Sequence, residues 1–383
     1  MHAKKPATKP SVCVQRRDFI QLLGAGALGV ALASAGSARA ANSVPAAAGA
    51  PVPRPGRKQL QGLFPIGSTP VTGDDKLDLE SLAAQVTFCN RAGVHGFVWP
   101  QIASGWTTLS EAERMAGTEA ILATGKGGAT TLVVGVQSKT GDIKEVERYA
   151  KHAVKNGADA IVSLPPPGVA DEKILLDYYQ QVGRMTELPL IVQTLDNMSI
   201  DLVVEIFKTV PTFRHVKDES NAGGGALMRI GEIRKRTNDE LKVFSGQGVR
   251  YMITEMELGF SGHCPGVPLA DVYAATFDLW HAGRHQEAFD MFGRILAFIS
   301  LGTMGRDSVL IARGIFKPGA RSRNAPMTGG AHAAPGAAGA AAGAGAAGAS
   351  AAGGAGAVHN PPPLDDQAVI AALNSYMKPY LRG

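Results

Sequence analysis

The chain has 383 residues, 45% hydrophobic and 19% charged, with a mean hydropathy of +0.02. That composition excludes wholesale disorder and leaves enough apolar side chain for one large core or two modest ones. The formal net charge of +5 is carried by residues 1–40, where Lys4, Lys5, Lys9, Arg16, Arg17 and Arg39 are opposed only by Asp18. The remainder is neutral, so nothing recommends a nucleic-acid partner.

The basic start runs through Gln15-Arg16-Arg17-Asp18-Phe19-Ile20 into an apolar stretch, Leu22–Leu32, and then Ser37-Ala38-Arg39-Ala40, whose small alternating residues suit a signal peptidase. Residues 1–40 are read as a cleavable twin-arginine-like signal, with the Tat export machinery as partner and a periplasmic or extracellular destination. The apolar run is short for a bilayer span, and no later segment offers about 20 uninterrupted apolar residues. With Cys13 removed, Cys89 and Cys264 are expected to be two buried thiols, not a disulfide framework.

After a Pro/Gly/Ala linker over 41–58, short apolar runs alternate with amphipathic stretches. Strands are predicted at Gly62–Ile66, Gly96–Trp99, Thr131–Val136, Ala160–Leu164, Leu188–Gln193, Phe213–Lys217, Leu241–Ser245 and Phe260–Gly262. Helices are predicted at Leu79–Ala92, Ser110–Thr124, Ile143–Asn156, Glu172–Met185, Ile200–Thr209 and Ala226–Arg236, where apolar residues recur every three or four positions. Gly93, Gly157 and Gly259 are placed to end helices in left-handed conformations. The pattern predicts an α/β fold, a (β/α)8 TIM barrel over 59–315 with additional C-terminal helices. A doubly wound sheet is the lesser fit, because no glycine fingerprint follows the first strand.

Leu269–Trp280, Gln286–Leu301 and Ser308–Ile315 continue as helices, with Met291, Phe292 and Phe298 as packing residues. Residues 316–363 read as a low-complexity Gly/Ala/Pro linker. Residues 364–383 read as a C-terminal helix presenting Val369, Ile370, Leu373, Tyr376 and Met377 on one face, to dock on the barrel or on a partner.

The chemical clue is Lys217 in Phe213-Arg214-His215-Val216-Lys217-Asp218-Glu219-Ser220, delivered at the end of the sixth predicted barrel strand. A desolvated lysine can attack a carbonyl and form an iminium that withdraws electrons from the adjacent carbon. This chemistry suits cleavage, condensation or dehydration of 2-oxo acids and requires neither metal nor cofactor. Asp218 and Glu219 would shield Lys217 or exchange protons with it, or else face outward in structural ion pairs. As anions they favour the charged lysine. His215 shares the strand face of Lys217 and is a conceivable relay, though packing is the better reading. His263 and Cys264 lack a third spaced ligand for a metal.

At these residues the chain resembles the dihydrodipicolinate synthase and N-acetylneuraminate lyase family, class I Schiff-base aldolases. The resemblance covers about residues 60–315. Gly62-Leu63-Phe64-Pro65-Ile66 with Thr69-Pro70 resembles the family's first strand and loop. Gly93-Val94-His95-Gly96-Phe97-Val98 and Thr108-Leu109-Ser110-Glu111-Ala112-Glu113-Arg114 resemble the second strand and its following helix. Val216-Lys217-Asp218-Glu219-Ser220 is similar to the lysine motif, Phe244-Ser245-Gly246 to the seventh-strand ending, and Gly259-Phe260-Ser261-Gly262 with Pro265 to the eighth-strand region. The resemblance implies a (β/α)8 enzyme with a Schiff-base lysine, working as a homo-oligomer, a dimer or tetramer.

The departures are specific. Where the family has a Gly-Thr-Thr-Gly-Glu carboxylate loop, this chain has Gln101-Ile102-Ala103-Ser104-Gly105-Trp106. Where the family has its catalytic tyrosine, Leu190-Ile191-Val192-Gln193-Thr194 supplies Gln193, which orients but cannot titrate like a phenol. The tyrosine-bearing loop is replaced around Ser163-Leu164-Pro165-Pro166-Pro167, and the arginine of dihydrodipicolinate synthesis is missing from Thr194-Leu195-Asp196-Asn197-Met198.

The leading reading is an exported aldolase, lyase or dehydratase acting on a small 2-oxo acid or sugar-acid derivative. Lys217 and Gln193 are the expected catalytic residues, Ala103 and Ser104 receive the substrate carboxylate, and Ser245 helps position the substrate. The alternative is a non-catalytic exported binding barrel derived from this family. A serine hydrolase built from Ser104 and His215 has no nucleophile elbow or triad signal to support it.

Overall fold

Polar caps start the helices that wrap the fold. In a computed structural model describing residues 58–221, 225–246, 249–303, 305–323 and 364–382, five successive helices begin at a side-chain cap. These are α1 (Leu79–Ala92, Asp78), α2 (Glu111–Gly125, Ser110), α3 (Ile143–Lys155, Asp142), α4 (Glu172–Gly183, Asp171) and α5 (Ile200–Thr209, Ser199). Each cap accepts from an otherwise unpaired first-turn N–H, a contribution of about 1 kcal/mol. At α2, Glu113 answers Ser110 reciprocally. Gly93, Gly157 and Gly259 adopt φ of 71°, 87° and 87°, the left-handed turns expected of them.

The strands are β1 (Gly62–Leu63), β2 (Pro70–Val71), β3 (Gly96–Trp99), β4 (Thr131–Gly135), β5 (Ala160–Ser163), β6 (Leu190–Thr194), β7 (Phe213–Asp218), β8 (Lys242–Ser245), β9 (Gly262–His263) and β10 (Arg321–Ser322). Eight of them form one sheet in the order β1-β9-β8-β7-β6-β5-β4-β3, and every pairing in it is parallel. Ile66 bridges both Val98 and Gly266, which joins the two ends of that order into a (β/α)8 barrel.

Alternation along the strands makes two cores. Phe64, Ile66, Val98, Val133, Ala160, Val162, Ile191, Phe244 and Cys264 fill the barrel interior. The intervening residues, such as Leu132, Ile161, Val192 and Val216, pack outward against the helices.

The remaining helices are α6 (Ala226–Arg236), α7 (Met252–Glu257), α8 (Ala270–His281), α9 (His285–Phe298), α10 (Asp307–Ala312) and α11 (Asp366–Ala372). Phe292 and Phe298 are buried, as packing residues should be. The segment read as the start of a linker at 316 is instead ordered through 323. Phe316 and Ala320 are buried, β10 pairs antiparallel with β2, and Arg323 binds Glu113 at 2.6 Å.

The C-terminal segment docks on this chain. Val369, Ala372, Leu373 and Met377 are buried, whereas Tyr376, expected on the same face, is 65% exposed because the helix loosens after Ala372. Arg306 bonds the Leu364 carbonyl, and the Arg382 N–H donates to Asp271, itself held by Arg313. The export signal expected over 1–40, the linker up to residue 57 and the Gly/Ala tract at 324–363 lie outside the described residues.

Candidate active site

Lys217 lies on β7 one residue past Val216, which faces the helices, so the two-residue period turns it into the lumen at the C-terminal end of the barrel. It is 5% exposed. Its register partner on β6 is Gln193, which is fully buried.

The two side chains meet through Glu219. One carboxylate oxygen lies 2.8 Å from Lys217 Nζ, and the other accepts a hydrogen bond from Gln193 Nε2. A carboxylate only accepts, so the amide nitrogen must face it, leaving Gln193 Oε1 buried without a protein partner among the described residues. Gly246 makes the space: a Cβ there would sit 2.0 Å from Glu219 Cγ.

Asp218, the neighbour, points the other way. It is wholly buried, accepts from Thr194 Oγ1 at 2.6 Å and from the Ser220 N–H at 3.2 Å, and pairs with Arg229 at 3.0 Å. Thr194 Oγ1 also receives the Glu219 N–H at 3.2 Å, so the backbone carrying Glu219 is anchored from β6. The two alternatives open for these acids are therefore divided between them, with Asp218 in a structural ion pair and Glu219 on the lysine.

Two further titratable side chains lie among the barrel strands. His215, two residues earlier, lies edge-on to Phe244 with ring centroids 5.6 Å apart, and burial pushes its imidazole down to about 4, so it stays neutral near pH 7. Cys264 lines the lumen, and burial pushes its thiol up to about 12 against the pull of the nearby lysine. Cys89 and Cys264 are both buried free thiols.

The other expected site residues have partners of their own. Ser245 follows lumen-facing Phe244 and turns outward, donating to Glu255 Oε1 at 2.5 Å, while Glu255 Oε2 bonds His263 Nδ1 at 2.8 Å. Ala103 and Ser104 lie in a 3₁₀ turn, Ile102–Ser104. Ala103 is exposed, whereas the Ser104 hydroxyl accepts from the Gln101 N–H at 3.0 Å and its carbonyl from Thr69 Oγ1 at 2.6 Å.

Sequence reasoning missed Gln137 after β4. It donates to the Pro100 carbonyl at 3.1 Å and keeps a buried Oε1 without a protein partner among the described residues. Its signal was a polar residue two positions beyond the end of a barrel strand, at the face that supplies active-site groups in this architecture.

A buried lysine at the C-terminal mouth of a parallel barrel, paired with a carboxylate that the Gln193 amide holds, defines a (β/α)8 protein with a lyase-type active-site architecture. The dihydrodipicolinate synthetase family model matches residues 59–303, and the chain belongs to that family. It is 27% identical over 198 residues to the 4-hydroxy-tetrahydrodipicolinate synthase of Methanosarcina mazei, a match spanning 49% of this chain and 64% of that protein. It is 27% identical over 212 residues to the probable 2-dehydro-3-deoxy-D-pentonate aldolase YjhH of Escherichia coli, spanning 54% and 68% respectively. The structure of YagE, a prophage protein of the dihydrodipicolinic acid synthase family from Escherichia coli in complex with pyruvate, shares the fold. Its TM-score is 0.62 over 71% of this chain and 93% of that one, at 18% identity.

Proposed function

We propose that Lys217 forms an iminium with a small 2-oxo acid or sugar-acid derivative and that the protein is an aldolase, lyase or dehydratase. The observation that carries this reading is the lysine itself, 5% exposed at the lumen end of β7 in a barrel of this family. Iminium formation makes the carbon next to C2 a stabilised carbanion, so a bond to carbon or oxygen one position further on can break. The relatives named as a synthase and an aldolase are in keeping with that chemistry.

In this reading Gln193 orients the reacting groups through its amide. The Ile102–Ser104 turn receives the substrate carboxylate, Ala103 on its exposed side and Ser104 holding it to Gln101 and Thr69. Ser245 is left out of the substrate set because its hydroxyl is given to Glu255. The proposal extends to Tat-dependent export, on the strength of Arg16-Arg17-Asp18-Phe19 and the apolar run behind it, and to assembly as a homo-oligomer.

The test is intact-mass spectrometry after borohydride reduction of the protein with a panel of 2-oxo acids. A substrate-dependent adduct mapped to Lys217, and absent from Lys217→Ala, is expected. Folded wild-type protein that traps none of the panel would overturn the Schiff-base reading and favour a binding barrel.

A further inference from the structure

We infer that Glu219 is the acid–base residue of this site, a deepening of the proposed function that rests on Lys217 being the imine-forming group. Two contacts seat its carboxylate, and the space and backbone around it fit them. One oxygen is 2.8 Å from Lys217 Nζ, within the 2.6–3.2 Å reach that proton transfer requires. The Gln193 amide holds the other oxygen, and Gly246 opens the space that the side chain occupies. The backbone beneath is tied to Thr194. The side chain is about one-fifth exposed, so it is reachable from the mouth of the barrel while its partner lysine is nearly dry.

An anion beside a lysine holds the ammonium form and opposes attack, unless that anion takes the proton itself. When a 2-oxo acid arrives, Lys217 Nζ passes one proton to Glu219 and the neutral amine attacks C2, forming the C–N bond as the carbonyl π pair moves to oxygen. A second Nζ proton transfers to that oxygen, giving a neutral carbinolamine. Glu219 returns its proton to the hydroxyl, the C–O bond breaks, water leaves, and the nitrogen lone pair forms C=N. The sum is ammonium plus ketone giving iminium plus water, with Glu219 again a carboxylate. It then removes a proton from C3, whose C–H electrons form the enamine double bond while the C=N π pair returns to nitrogen.

Gln193 Oε1, buried and unpartnered among the described residues, is left to accept from the carbinolamine or a substrate hydroxyl. The neutral His215 and the Cys264 thiol do not compete for these roles, because burial holds one below and the other above the working range.

The test uses pyruvate as probe and two readouts. Borohydride trapping reports the imine at Lys217, and loss of the pyruvate methyl signal in deuterium oxide reports proton removal at C3. Wild type is expected to show both. Glu219→Gln, close in shape, should still trap pyruvate on long incubation but exchange C3 protons at least roughly 100-fold more slowly. Glu219→Ala should regain exchange when formate is added, which a merely structural role would not produce. An adduct with C3 exchange within a few-fold of wild type in Glu219→Gln overturns the relay alone. A folded Glu219→Ala that formate fails to rescue also overturns it. Wild-type protein forming no adduct overturns the Lys217 reading and the relay with it.

Discussion

Arg229→Met provides the sharpest test of how the lysine strand is held. In the native protein the Arg229 guanidinium, 3% exposed, donates from Nε to Asp218 at 3.0 Å and from its terminal amino group to the Met198 carbonyl at 3.1 Å. Methionine keeps most of the stem volume but leaves the Asp218 carboxylate at zero exposure, with the Thr194 hydroxyl and the Ser220 amide as its remaining donors among the described residues. Removing one partner of a buried pair costs about 3–5 kcal/mol, chiefly because the survivor is a dry, uncompensated charge. In a barrel of this size that lowers the melting temperature by roughly 10 °C. Equilibrium urea denaturation should show the midpoint falling with little change in slope. Asp218→Asn combined with Arg229→Met removes the stranded charge and should recover more than half of the loss. A single variant within about 1 kcal/mol of wild type, or a double variant no better than the single, would refute the argument that the pair anchors β7.

Three other outcomes follow from the same geometry. Gly246→Ala places a Cβ 2.0 Å from Glu219 Cγ; the clashing atom belongs to a flexible side chain, so the protein should fold, trap pyruvate and lose C3 exchange much as Glu219→Gln does. The Arg323 guanidinium beside Glu113 holds that carboxyl down at about 2, with capping contacts from Ser110 assisting, so the pair stabilises the fold above about pH 4.3 and ceases to as pH falls through 2. Arg323→Ala should cost about 1–2 kcal/mol at pH 7 after allowance for solvent screening, and the difference from wild type in denaturation midpoints should close toward pH 2. Burial holds the His215 imidazole at about 4, which leaves stability untouched above about pH 6.5 and costs up to about 1.4 kcal/mol per pH unit as pH falls from there to 4, where the unfolded chain takes up the proton first. His215→Leu should flatten that part of the stability curve, and a curve parallel to wild type would contradict the account.

The alternation of elements was legible because amphipathic helices announce themselves by their period; α1 and α5, with side-chain caps, and α6, without one, all have the predicted bounds. Strand ends were less legible. The predicted Gly62–Ile66 strand is two ladder residues, β1, plus a bridge at Ile66, and the predicted Phe260–Gly262 strand appears as Gly262–His263. The six-residue α7 was too short to show a period, and β10 was hidden beside a low-complexity tract.

Facing was harder still. Strands of a parallel barrel are apolar on both sides, so Leu190-Ile191-Val192 carries no alternation from which the lumen side can be read. Ser245 shows the consequence, because its position at a strand end suited a substrate contact and only the parity set by Phe244 turns it toward Glu255.

Parity also explains why two adjacent acids have separate fates. Asp218 continues the outward face of Val216 and meets Arg229 on α6, whereas Glu219, one step on, falls on the lumen side with Lys217. Neither placement works without the other. Asp218 and Thr194 pin the end of β7, and that pinned backbone allows the Glu219 carboxylate to reach Nζ while Gly246 stands clear. The buried arginine pair also absorbs the second negative charge locally, so Lys217 shares the lumen with one carboxylate instead of two.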